Sequence, residues 1–114
     1  MKRLFFSISS IFIFFTFVNG QHFVPAYLEY SDNPYFPMNF YLTSAILDGM
    51  DLETGDEVGI FDGDVCVGSG VVDGTISQDN LLIMVASAQE SSWPAGTGFT
   101  PGNPISYSYF DASE

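Results

Sequence analysis

Six carboxylates stand between positions 51 and 64: Asp51, Glu53, Asp56, Glu57, Asp62 and Asp64. Oxygen ligands in such density suit a hard cation, and calcium takes about six to eight of them from acidic loops. Asp62 and Asp64 sit at a turn and form the candidate metal pair, with calcium the cofactor they would hold. The D-x-[DN]-x-[DN]-G spacing of an EF-hand is missing. A second explanation needs no metal: Asp48-Gly49, Asp62-Gly63 and Asp73-Gly74 are turn-forming pairs.

Paired carboxylates could also hydrolyse glycosidic bonds, but spacing selects no pair here. Neither a G-x-S-x-G elbow nor an H-E-x-x-H helix occurs. His22 is the single histidine and lies near the start of the chain. The expectation is therefore a non-catalytic protein. Cys66 is the single cysteine, so it has no internal disulfide partner, and no Lys or Arg lies near it to favour a thiolate. It reads as a small buried hydrophobe.

Aromatic chemistry is the other candidate. Trp93, the only tryptophan, and Phe99 lie in the long connection "QESSWPAGTGFTPGNP", Gln89 to Pro104. Loops of this length are often functional. Trp93 and Phe99 are the candidate ligand-binding residues, as rings on which sugar faces could stack; the alternative places them in the core.

The elements that must position these groups read as strands. Asp62-Gly63 predicts a tight hairpin. A two-residue loop there sets Ile60 opposite Val65 and Val58 opposite Val67, gathering four apolar side chains on one face. Gly59, Cys66 and Gly68 then share the other face and leave room for an aromatic ring or a neighbouring backbone. "MNFYLTSAIL", Met38 to Leu47, alternates, with Met38, Phe40, Leu42 and Ile46 facing one way. "LLIMVASA", Leu81 to Ala88, is an apolar run that reads as a buried strand. In "PISYSYFDA" Ile105, Tyr107 and Tyr109 alternate with Ser106, Ser108 and Phe110. No sustained 3.6-residue period occurs. The fold class expected is all-β, an antiparallel β-sandwich.

Residues 1–20 read as a signal peptide: a basic start at Lys2-Arg3, the apolar run "LFFSISSIFIFFTFV", and a small-residue exit at Gly20. Residues 21–37, with Pro25, Pro34 and Pro37, read as an extended lead-in turning at Asn33-Pro34, and residues 38–114 as the sandwich module. Cleavage after Gly20 would remove both basic residues and leave all 14 carboxylates. Such a surface repels nucleic acid and anionic lipid. The partners left are an extracellular polysaccharide or protein, and after cleavage the chain is not expected to be an integral membrane protein.

The blocks "PMNFYLTSAILDGMDLETGDEVGIFDGDVCVGSGVV" and "GFTPGNPISYSYFDAS" resemble a poorly characterised module of secreted multidomain proteins in Bacteroidetes-type bacteria, which often end in a type IX secretion sorting domain. The resemblance covers most of residues 34–113. It implies a β-rich extracellular or cell-surface module without known catalytic residues, and more chain after Asp111, so that the sandwich would be incomplete at Glu114. The expected function is a non-catalytic secreted module with an adhesive or architectural role. The alternatives are a carbohydrate-binding module, calcium-assisted or not, and a fragment of a secreted glycosidase.

Overall fold

The computed structural model describes residues 21–112; the expected signal peptide, residues 1–20, lies outside the described residues. Seven strands follow in order: β1 Met38–Leu42, β2 Ile46–Leu47, β3 Met50–Asp51, β4 Glu57–Asp62, β5 Val65–Val71, β6 Leu82–Ala86 and β7 Ser106–Phe110. The only helical turn among the described residues is a 3-10 segment, Ala26–Glu29. The fold is all-β and antiparallel. One sheet has five strands in the order β1-β6-β5-β4-β7, and β2 and β3 form a separate two-stranded sheet.

One face of the large sheet holds the core. Val58, Ile60, Val67, Met84 and Ala86 pack there against Ala45, Leu52, Val72 and Ile76 from the β2–β3 region and the connections beyond β5. Val58, Ile60 and Val67 are fully buried; each contributes about 1.5–3 kcal/mol relative to an exposed side chain.

The 58–67 hairpin exists, but its register differs from the expected one. Its loop is Gly63-Asp64, since Asp62 pairs with Val65. Gly63 adopts φ 59°, as the first central residue of a type II′ turn does. Phe61 pairs with Cys66 and Ile60 with Gly68, leaving Val67 as the extra residue of a bulge. Val58 therefore faces Gly70, not Val67. Small residues oppose large ones for a steric reason. A Cβ on Gly70 would lie 2.7 Å from the Met84 side chain, and one on Gly68 would lie 2.5 Å from the Val85 carbonyl oxygen. The bulge keeps Val65 and Val67 on the apolar side despite the slip.

The two-residue Asp-Gly loop is found at Asp48-Gly49 instead. Both residues have positive φ, 55° and 81°, and Leu47 pairs with Met50 across them. The Met38–Leu47 run is two strands, broken at residues 43–45. The break buries Ala45 and turns Ile46 out to solvent. The Leu81–Ala88 run is a strand, yet it is buried on one face only: Met84 is buried while Ile83 is 62% exposed.

The lead-in crosses the opposite face of the sheet. Phe23 covers Gly59, where a Cβ would meet its ring at 2.8 Å. His22 stacks on Phe110 with ring centroids 4.0 Å apart. An aromatic ring does fill the space above Gly59, as its lack of a side chain suggests; Gly68 lies against β6 backbone instead.

Candidate functional site

With no Lys or Arg in residues 21–112, the carboxylates find backbone N–H donors. The buried Glu57 carboxylate accepts the His22 and Phe23 N–H groups, both at 2.9 Å. The buried Asp56 carboxylate accepts the Glu53 N–H at 2.8 Å and the Ala112 N–H at 3.0 Å. These acids fasten both ends of the described chain to the start of β4.

Asp62 and Asp64, the expected calcium pair, are placed differently. Asp62 accepts the Thr100 N–H at 2.8 Å and the Asn103 amide at 3.1 Å, latching the loop before β7. Asp64 is an exposed loop residue of the hairpin. Among the described residues no three His, Cys, Asp or Glu side chains converge as a metal site. A shallow depression of about 200 Å³ is lined instead by Asp48, Asp51, Glu53, Asp56 and Asp111 with Leu47, Met50 and Leu52.

Cys66 is half-buried, and its Sγ lies 3.4 Å from the Gly68 carbonyl oxygen. Burial pushes its thiol above the ordinary range. It is a packed thiol whose burial disfavours the thiolate.

The two expected platform residues part company. Phe99 is 6% exposed and belongs to the core. Its backbone pairs with residues 87–89 on both sides, through Phe99 N–H to Ser87 O and Gln89 N–H to Phe99 O. It cannot offer a ring face to a ligand. Trp93 is half-buried at the edge of a surface cluster. Its ring lies near-parallel to Tyr27 at 6.5 Å and edge-on to Tyr35 at 6.2 Å. Tyr35 in turn meets Phe36 at 4.5 Å.

This ledge is held from below. The Tyr35 N–H donates to Ser87 Oγ at 2.9 Å, and its carbonyl accepts the Ala88 N–H at 2.8 Å. The loop carrying Trp93 is braced by Gln89. Its Oε1 accepts the Thr97 and Gly98 N–H groups, and its Nε2 donates to Pro94 O and Thr97 Oγ1. Glu90 closes the next turn by accepting the Ser92 hydroxyl and N–H. These bonds, the hydroxyl first, hold its carboxyl below the usual range. Burial raises the Tyr27 phenol.

Phe36 is a residue that sequence reasoning did not single out. It is 73% exposed and has φ 39°. The left-handed region is unfavourable for a bulky residue, and Pro37 restricts it further. The ring is thus held in solvent at a backbone conformation that costs about 1–3 kcal/mol. The one legible signal was the density of aromatics among the prolines of the lead-in.

Searches against protein-family models, curated proteins and solved structures match nothing. No helix among the described residues is long and apolar enough to cross a membrane.

Proposed function

We propose that this chain is a non-catalytic module of the extracellular space or cell surface that adheres through the ledge formed by Tyr35, Phe36 and Trp93. The carrying observation is Phe36, exposed and held in a left-handed conformation beside two further rings. The leader-like first twenty residues and the acidic remainder support an exported setting. The carboxylates of the β4–β5 hairpin support a non-catalytic role, because Asp56, Glu57 and Asp62 are bonded to backbone N–H groups.

The partner that suits the ledge is a neutral extracellular polysaccharide. Ring faces stack on the C–H faces of sugars, and a neutral polymer is not repelled by a surface without cationic side chains. The test is binding to a panel of immobilised neutral polysaccharides. Phe36→Ala removes a solvent-exposed ring without opening the core, and is expected to weaken binding about tenfold, the worth of one aromatic contact. Phe36→Tyr is expected to retain it. Binding that is indifferent to both Phe36→Ala and Tyr35→Ala, or no binding to any polymer, would remove the ledge from consideration.

A further inference from the structure

The five-stranded sheet is not flat. Its outer strands β1 and β7 are separated by three others, about 19 Å apart in a flat sheet at ordinary strand spacing. Yet Phe40 of β1 and Tyr107 of β7 touch edge-to-face, with centroids 6.1 Å apart. The sheet therefore curls round its own core, bringing towards each other two edges that pair with no other strand among the described residues, with these two rings in contact across the gap. Both rings lie on the core side, by their pairing with Met84 and Ile60. The seam between the edges is nevertheless open, since core-side Met38 is 41% and Tyr107 46% exposed.

Strand direction says what fits the seam. Every neighbouring pair in the sheet is antiparallel, and five strands make β1 and β7 point the same way. They cannot pair antiparallel with each other. One further strand running the opposite way would be antiparallel to both, and would complete a closed barrel of six. Its N-terminal end would meet the C-terminal ends of β1 and β7. There stands the acidic depression, walled by Asp111 just past β7 and by Asp48 and Asp51 of the hairpin that follows β1.

We propose that the seam between β1 and β7 accepts one extended peptide strand from a partner protein, antiparallel to both edges, with alternate apolar side chains turned into the core and lysine or arginine at its N-terminal end. Backbone hydrogen bonds to both edges supply affinity, and the alternating side chains supply selectivity. The charge argues for a partner over a second copy. Residues 21–114 contain no Lys or Arg, so a second copy would bring like charge to the depression.

The experiment titrates two synthetic peptides of alternating valine and threonine into the full chain, one headed by two lysines and the other by two glutamates. Backbone amide shifts report the site. The lysine-headed peptide is expected to bind with shifts concentrated in β1 and β7. The glutamate head is expected to weaken it about tenfold, the effect of two partly screened ion pairs. N-methylation at alternate peptide positions is expected to abolish binding. Tyr107→Lys puts a charge on the inward side of the edge and should also abolish it. Met38→Lys repeats the test from the other edge, should Tyr107→Lys prove poorly folded. Shifts elsewhere, equal binding of the two peptides, survival of binding after N-methylation, or no binding by either peptide overturns the proposal. So does a concentration-dependent dimer that Tyr107→Lys dissociates, because the occupant would then be a second copy.

Discussion

Asp56 and Glu57 open β4 and Asp62 closes it, six residues apart at most, yet the fold uses the two ends of this strand differently. At the opening end both carboxylates are buried and each holds two backbone N–H groups, those of the distant His22 and Phe23 on Glu57 and those of nearby Glu53 and distant Ala112 on Asp56. At the hairpin end Asp62 holds an exposed loop, and Asp64 stands in solvent. A run of acids in sequence thus divides into fasteners and surface charge according to what the backbone brings near. With no Lys or Arg in residues 21–112, the fold satisfies its buried carboxylates with N–H groups, which is the alternative to ion pairing that burial demands.

Glu57→Ala gives the largest expected effect. It leaves two N–H groups of the lead-in without their acceptor and frees Phe23 from Gly59, at a cost of about 2–3 kcal/mol in urea unfolding. A loss no greater than that of Asp62→Ala would erase the distinction between the two ends. Gly63→Val comes next, at about 2 kcal/mol, because a β-branched residue resists the positive φ of this turn. A parent-like melt for that variant would show that the hairpin does not need its turn geometry. Asp62→Ala should cost less than about 1 kcal/mol, as exposed contacts do, with faster amide exchange at Thr100 as its signature.

Added salt should then raise the melting temperature by screening the 14 carboxylates. Calcium chloride at matched ionic strength should do no more than sodium chloride. A rise at micromolar calcium would restore a specific cation site. The smallest effect concerns Glu90. Its carboxyl is held low in the folded state, so its contribution is present above the unfolded value and is lost only as pH falls through the lower folded one. The Ser92 amide shift should titrate below the ordinary glutamate range; a midpoint within that range would mean that the Ser92 bonds are not made in solution.

Local alternation made the strands legible. MNFYL and SYSYF each show two-residue periodicity, and both became edge strands with the expected faces. The break at residues 43–45 was hidden because the apolar spacing continues through it, whereas the backbone turns there to bury Ala45. The bulge at Val67 was hidden for another reason: it depends on how closely the β6 backbone and Met84 approach Gly68 and Gly70. Phe99 and Phe36 were equally ambiguous as loop aromatics. Pairing of Phe99 with residues 87–89 drew one inward, and the turn before Pro37 held the other out. The roles of Asp56 and Glu57 were beyond local reading, since Ala112 is 56 residues from Asp56, and His22 is 35 from Glu57.

The adjacent fasteners at Asp56 and Glu57 also have a mechanical meaning. They hold residue 112 and residues 22–23 to neighbouring points of one strand, and the His22 ring lies on that of Phe110. Tension applied through these two ends would not be shared along the strands in shear. It would peel the ends apart one contact at a time, starting at β4. A unit with this geometry is poorly suited to bear load in series.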